Sequence, residues 1–247
     1  MGVNGALGFT YNNVHCSEFG IIARSVDLSV LPEVKNNTLD IPQRDGSYVF
    51  TGVSDRLYYK DAQIQILCQF QADNMQQLQE KVSRIGVWLS RPSELRIDSL
   101  PNVHWNARVF GGFHFAPILS GTAASITVTF EIPPFSLADE VSVITVESNS
   151  SVDSYNNGYL TPCIIAAENG SNLSANVAET SFAVSGSFQT LQINSDLFTV
   201  TKNGEKAIAI FSGKFPIIPT GNFTIQNNSD VPITVRFIKR FFYGEVM

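Results

Sequence analysis

Charged side chains are scarce in this chain of 247 residues, and their scarcity excludes several classes of protein. Asp, Glu, Lys and Arg make up 15% of the sequence, against about 25% in an average soluble domain. The 16 Lys and Arg are outnumbered by 22 Asp and Glu, which leaves a net charge of −6. Because no cluster of Lys and Arg offers a surface for phosphates, we expect no sequence-specific binding of DNA or RNA. The hydrophobic fraction of 44% is still enough for a full core, which excludes a disordered chain.

Cysteines and long apolar runs are also scarce. The three cysteines, Cys16, Cys68 and Cys163, lie far apart in the sequence. They predict neither a zinc site nor a disulfide framework, and their odd number is typical of a reducing compartment. No stretch approaches the ~18 apolar residues needed to cross a membrane, and the first residues lack the basic and apolar segments of a secretory signal. We therefore expect no membrane insertion and no secretion.

The sequence offers no arrangement of residues that is typical of an enzyme. The histidines His15, His104 and His114 have no spacing that would converge on a metal ion. His15 and Cys16 are adjacent, and adjacent residues of a strand point to opposite faces, so they cannot act as a base and its nucleophile. Gly111-Gly112 lacks the Lys and the following helix of a phosphate-binding loop. We predict no catalytic, cofactor-binding or metal-binding residue, no cofactor and no enzymatic activity.

Lys and Arg are absent from one long stretch, which indicates two modules. Every Lys and Arg lies at or before Arg108 or at or after Lys202, while eight acidic residues fall between them. We place the junction near 133–135, because two consecutive prolines cannot continue a central strand. The polar run 148–157 is interpreted as a linker or long loop. The predicted domains are 1–138 and 139–247.

The first module is predicted to combine a sheet with one helix. Residues 62–70 and 125–132 alternate apolar and polar side chains, which indicates two strands. Between them a helix ends before Pro92, with Asp73 capping its start and Gln76 three residues later. Its apolar face, at three-to-four-residue spacing, comprises Met75, Leu78, Val82, Ile85 and Leu89. The first module is therefore predicted to be an α+β domain.

The second module is predicted to be all strand. Short apolar runs separated by turn residues recur about every 8 to 15 residues. These runs are 163–165, 190–193, 198–200, 207–211, 222–225 and 233–237. Asn203-Gly204 is a two-residue hairpin signal, and regular short strands with no helix imply a β-sandwich. Whether the last strand, 235–247, belongs to this module or packs on the first is left open.

Several short segments match a known family in order and spacing. In the first half they are Phe19-Gly20-Ile21-Ile22, Ile41-Pro42-Gln43-Arg44-Asp45-Gly46, Tyr58-Tyr59 and Leu89-Ser90. In the second half they are 157–162, 191–195 and 215–222. Together they resemble the distal tail proteins (Dit) of long, non-contractile phage tails over nearly the whole chain. Gln43 stands where the family has a loop glycine, and Asn194 stands where an aspartate is common.

The resemblance implies a mainly β fold, in which a tail-tube-like α+β ring domain precedes a galectin-like β-sandwich. It implies a structural virion protein that forms a homo-hexameric ring at the distal end of the tail. Such a ring joins the tail tube to the tip or baseplate, and DNA passes through it without specific binding. The expected partners are the major tail tube protein and a tail-tip hub, fibre or lysin protein; the tape measure protein and receptor-binding proteins are left open. Its assembly loop would consist of Pro42, Gln43, Arg44, Asp45 and Gly46.

Two other classes of function are weighed against this one. The alternative is a glycan-binding accessory β-sandwich protein for attachment to the host surface. Both tryptophans, Trp88 and Trp105, lie in the first module, and the second lacks the sugar-binding set of galectins, so a galectin-like fold need not bind sugar here. A hydrolase acting on cell-wall polymer has no set of residues to support it.

Overall fold

The computed structural model describes residues 8–35, 38–39, 42–43, 45, 48–49, 57–112, 116–117 and 122–244. Its chain divides into two compact units. Unit 1 comprises the described residues up to Ser136 together with Phe242–Gly244, and unit 2 runs from Leu137 to Phe241. The predicted mainly β fold is confirmed. Within the described ranges, no helix is long and apolar enough to cross a membrane.

Unit 1 consists of one main antiparallel sheet, one α-helix and two short additional strand pairings. Its strands are β1 (Phe9–Tyr11), β2 (Val14–His15), β3 (Ile22–Leu28), β4 (Thr38–Leu39), β5 (Tyr48–Val49), β6 (Ala62–Gln71), β7 (Ser93–Ile97), β8 (Val103–Val109), β9 (Ala116–Pro117) and β10 (Ala123–Ile132). The helix α1 spans Met75–Leu89, and a 3₁₀ helix spans Cys16–Phe19. The sheet order is β2-β1-β7-β8-β10-β6-β3, with β9 also paired to β10 and β4 paired to β5.

The two strands predicted from alternation form the centre of this sheet. β6 and β10 pair along their full length, with Ile66 opposite Val128 and Cys68 opposite Ile126. Every second side chain of each strand is buried, as the pattern predicts for a sheet with one face on the core. The prediction for these two elements is therefore confirmed.

The helix α1 lies where the sequence predicts it, but its cap is one residue later. Asn74, and not Asp73, is the N-cap: its Oδ1 accepts the backbone N–H of Gln77 at 2.9 Å. The Gln77 side chain in turn accepts the N–H of Asp73, the residue before the cap, at 3.3 Å. Met75 was predicted on the apolar face, yet it is 42% exposed, because it occupies the first turn at the end of the helix.

Unit 2 contains ten strands within its described residues. They are β11 (Ser136–Val146), β12 (Ser150–Asn156), β13 (Thr161–Val177), β14 (Thr180–Asn194), β15 (Thr199–Lys202), β16 (Glu205–Lys206), β17 (Phe211–Gly213), β18 (Ile217–Ile218), β19 (Gly221–Asn227) and β20 (Ile233–Phe241), with a 3₁₀ helix at Ile208–Ile210. The Asn203-Gly204 hairpin is confirmed, because Lys202 pairs with Glu205 across it and both turn residues have positive φ.

Two predictions for unit 2 are wrong. The run interpreted as a linker is strand β12, which pairs with β19 from Ser150 to Asn156. Its outward side chains are polar, so its composition resembles that of a loop although its backbone is fully paired. The apolar run 207–211, predicted as a strand, forms the 3₁₀ helix before β17 begins at Phe211.

The long hairpin of β13 and β14 is bent and pairs with different strands on the two sides of its bend. Its register shifts between Ser171 and Leu173, next to Asn172 at φ 67° and opposite Gly186 at φ 90°. On one side of this bend β13 pairs with β20, and on the other it pairs with β19. Ile165 and Ala175, from the two halves, belong to the same apolar core. The bend therefore lets one hairpin contribute to both layers of a sandwich.

The end of the chain returns from unit 2 to unit 1. β20 pairs with β13 up to Phe237 opposite Cys163. Beyond it, the ring of Phe242 lies 5.1 Å from Phe135 and 5.1 Å from Tyr59, measured between ring centroids. The last described residues thus close a three-ring cluster in unit 1. Independent folding of the predicted domains 1–138 and 139–247 stays a prediction.

Candidate functional site

The predicted assembly loop is only partly described by the structure. Pro42, Gln43 and Asp45 are exposed, whereas Arg44 and Gly46 lie outside the described residues. Gln43 has φ 67°, a left-handed conformation that glycine adopts without strain. Gln43 therefore takes a backbone conformation that favours glycine. A role of this loop in assembly stays a prediction.

The two segments that lead to this loop run side by side and carry exposed apolar side chains. The Lys35 N–H donates to the Tyr58 carbonyl at 2.7 Å, and the Lys60 N–H donates to the Glu33 carbonyl at 2.8 Å. Four large apolar side chains are about half exposed or more along these segments: Val30, Leu31, Leu57 and Tyr58. Nearby, β3 pairs with β6 on one side only within the described part of unit 1. An open strand edge and exposed apolar side chains are features that a second protein chain can cover.

His15 belongs to a hydrogen-bonded group that the sequence analysis missed. Its Nδ1 accepts the Ser17 N–H at 3.3 Å and lies 2.6 Å from Ser17 Oγ. The proton of a neutral ring then lies on Nε2, which donates to Asp98 Oδ2 at 3.1 Å. Asp98 is 83 residues away in sequence, so only the tertiary fold brings it there.

This group has the order of a serine hydrolase triad, but its geometry is that of a helix cap. His15 is the N-cap of the 3₁₀ helix that begins at Cys16. The side chains of His15 and Asp98 are 37% and 43% exposed, so the pair is not desolvated as a catalytic pair usually is. We infer that the His15–Asp98 pair stabilises the turn before β3. Among the described residues, no group of three or more His, Cys, Asp and Glu is placed to hold a metal ion.

The cysteines are free, buried thiols. Burial raises the pKa of Cys68 to about 12. It also raises the pKa of Cys163 to about 12, although a hydrogen bond with Ser195 partly opposes that shift. Burial likewise raises the pKa of Cys16, and the nearby Asp98 carboxylate adds to this effect. Because a thiol must ionise to react, these cysteines are poor nucleophiles and poor metal ligands.

The aromatic side chains bear on the glycan-binding alternative. Trp88 and Trp105 are 6% and 1% exposed, and Trp88 Nε1 donates to the Tyr11 carbonyl at 2.8 Å. Neither indole is therefore available to stack on a sugar. In unit 2, Tyr155 and Phe198 are 60% and 68% exposed.

Asn194, the other departure from the family pattern, forms a turn in unit 2. Its Oδ1 accepts the N–H groups of Asp196 and Leu197 at 3.0 and 3.1 Å. An aspartate carboxylate could accept the same two bonds. Since the neutral amide of Asn194 already accepts both of them, the turn does not need a negative charge.

No family model and no curated protein matches this sequence. Among solved structures, a phage hub protein matches it over almost the full length of both chains. This is the Dit protein (gp 19.1) of SPP1, described as a paradigm of the hub adsorption apparatus in phages that infect Gram-positive bacteria. The TM-score is 0.75 at 12% sequence identity, over 95% of this chain and 99% of that one. The fold implied by the sequence resemblance is therefore confirmed.

Two further structures align at lower similarity. Both are of the phage P2 baseplate in its activated conformation, one with Ca and one with Sr. Their TM-scores are 0.40 and 0.39, each at 9% identity, over 93% and 94% of this chain and 97% and 98% of theirs.

Proposed function

We propose that the chain is a structural protein of a phage tail that forms a homo-hexameric ring at the distal end of the tail. The ring joins the tail tube to the tip or baseplate and leaves a channel for DNA. The observation that carries this proposal is the likeness to SPP1 Dit, because it includes 95% of this chain and therefore both units rather than one widespread module. Fold alone does not establish function, so the ring needs its own test.

Physical features of unit 1 support ring formation. Copies in a ring contact each other through two different surfaces, and rotation closes the set. The edge of β3 that pairs with no other described strand, and the exposed side chains near Leu31 and Tyr58, supply hydrogen-bonding and apolar surface for such contacts. A surface with few charges also lets identical copies approach with little repulsion. The partners of this ring would be the major tail tube protein on one side and a tail-tip hub, fibre or lysin protein on the other.

The mass of the purified protein in solution tests this proposal. We expect light scattering to give a hexamer of the 27.1 kDa chain, and negative-stain images to show rings with a central channel. Because the chain carries a net charge of −6, we also expect the ring to pass through a DNA-cellulose column unbound at about 0.1 M salt. A protein that stays monomeric at every concentration tested would contradict the proposal.

The same measurement locates the assembly loop. We propose that the loop Pro42–Gly46 lies at a subunit contact, so Arg44→Glu and Asp45→Lys should each weaken the ring about tenfold in dissociation constant. The matched controls are Lys206→Glu on β16 and Glu140→Lys on β11, which make the same charge changes at exposed positions outside the loop. If loop variants and controls assemble alike, the loop is not at the contact.

A further inference from the structure

Unit 2 has a cavity to which the proposed function assigns no role. Its volume is about 360 Å³, near the lower end of the roughly 300–1,000 Å³ typical of binding sites. The side chains of β11, β13 and β20 that line it are mainly apolar. They include Leu137, Val141, Pro162, Ile164 and Ile238.

Two arginines and one aspartate also line this cavity. Arg240 Nη2 lies 3.1 Å from Asp196 Oδ1, so these two charges compensate each other. Arg236 lies opposite Ile164 in the β13–β20 register and also lines the cavity. Its side chain is exposed, and it forms no ion pair with any residue that the structure describes. Among the described residues that line the cavity, Arg236 is therefore the one charged residue that forms no ion pair, and it lies beside an apolar interior.

This positive charge contrasts with the first part of the unit. Residues 137–201 of unit 2 include no Lys or Arg. On β20, however, Arg236, Ile238 and Arg240 alternate, so all three side chains leave the same face of the strand. An apolar side chain between two guanidinium groups is typical of the centre of a protein interface, where arginine is enriched.

We propose that this cavity is a docking site for a segment of another protein that carries one large apolar side chain next to a carboxylate. The apolar side chain fills the cavity between Val141 and Ile164. The carboxylate pairs with Arg236, whose planar guanidinium can bind it through two parallel hydrogen bonds. A lysine-flanked segment would instead meet like charge. The proposal does not depend on the ring, because every residue involved belongs to unit 2 of a single chain.

The first experiment uses a labelled peptide as the probe and the full chain as the receptor. The probe is fluorescein-Gly-Asp-Leu-Asp-Gly, and the control peptides are Gly-Lys-Leu-Lys-Gly and Gly-Asp-Ala-Asp-Gly with the same label. We expect fluorescence anisotropy to show saturable binding of the Asp-Leu-Asp peptide only. Methyl NMR of the same complex should shift the signals of Val141 and Ile164. Equal binding of the acidic and basic peptides, or no saturable binding of the acidic one, would overturn the proposal.

Matched variants separate the two parts of the site. Arg236→Glu should weaken peptide binding at least about tenfold, whereas Lys206→Glu, an equal charge change at an exposed position that does not line the cavity, should leave it unchanged. Val141→Asp should also abolish binding. Its control is Val143→Asp on the same strand, since the two valines are 52% and 56% exposed but only Val141 lines the cavity. Circular dichroism checks that each variant folds.

Other occupants give different results. If Val141→Asp, but not Val143→Asp, lowers the mass of the free protein in light scattering, a second copy of the chain occupies the cavity. If the wild-type protein binds phosphatidylglycerol vesicles and Arg236→Glu abolishes that binding, the cavity faces a lipid surface. Either result would overturn the proposal of a protein segment.

Discussion

The side chains of Asn227 and Asn194 show how polar residues hold unit 2 together. Asn227 is 1% exposed, and its Nδ2 donates to the carbonyls of Val146 and Val231 at 3.3 and 2.8 Å. Its Oδ1 accepts the N–H of Ser229 at 3.1 Å. A buried amide with its partners satisfied fixes the loop between β19 and β20. Some of the many Asn of this sequence thus form turns and caps, and others lie at the surface. Composition by itself does not distinguish these two roles.

Buried thiols make stability depend on pH. Burial raises the pKa of Cys68 and of Cys163 from 9.0 to about 12 in the folded chain. Below about pH 9 both states keep the proton, so pH has no effect through these groups. Above it the unfolded chain loses protons that the folded chain retains, so the free energy of unfolding falls as pH rises toward 12. The slope is about half of 1.4 kcal/mol per pH unit for each thiol at pH 9, where the unfolded thiol is half ionised, and it approaches about 1.4 kcal/mol per pH unit well above pH 9.

Urea denaturation at a series of pH values from about 8 to 10 measures this slope. The variant Cys68→Ala, Cys163→Ala is the reference, because it removes both thiols while other groups that ionise in this range remain. It should be less stable overall, since each alanine leaves a small cavity, but its stability should fall less steeply with pH. Identical slopes for the two proteins would contradict the assignment.

At the scale of elements, the helix α1 is determined by local sequence, whereas the bent hairpin depends on contacts between residues that are distant in the sequence. The amphipathic period and a polar cap define α1 locally, so its position could be predicted. Gly170 lies next to the bend in the β13–β14 hairpin, and its cross-strand neighbour is Phe188. A Cβ at Gly170 would lie 2.6 Å from Phe188 Cζ and 3.0 Å from Val231 Cγ2. The ring therefore packs directly over the glycine backbone.

Two glycine substitutions test this difference. Gly170→Ala should destabilise the protein by about 1–3 kcal/mol, because Phe188 is buried and must move. Gly86→Ala is the matched control in α1, where a Cβ would meet nothing within 4 Å. It should stabilise the protein by about 1 kcal/mol, since alanine favours a helix more than glycine does. Thermal unfolding measures both, and a neutral Gly170→Ala would mean that the hairpin tolerates a side chain at its bend.

At the scale of the whole molecule, unit 2 contains a complete apolar core. All the buried residues of this core lie between Val146 and Phe237. We therefore expect a fragment of residues 137–241 to fold alone as a monomer with a strand-type circular dichroism spectrum and one cooperative unfolding transition. The control fragment carries Ile165→Asp, which places a charge in the core and should abolish the transition. Aggregation of the parent fragment would mean that unit 2 needs unit 1 to fold.

The sequence by itself determined the elements that have a strong local pattern. Alternation predicted β6 and β10, the 3.6-residue period predicted α1, and Asn203-Gly204 predicted the hairpin of β15 and β16, because each is decided by neighbours along the chain. The same reasoning failed for β12. That strand is set by its pairing with β19 about 70 residues away, while its own outward side chains are polar.

Only the tertiary structure decided which distant residues meet. It brought Asp98 to His15, placed Arg236 opposite Ile164, and returned Phe242 to unit 1 beside Phe135. Alternation already put Arg236, Ile238 and Arg240 on one face of a strand, but only the packing of β11 and β13 beside that strand makes a cavity there. Two distant strands pair when their side chains together bury enough apolar surface. That total depends on both strands, so neither segment of the sequence predicts the pairing by itself.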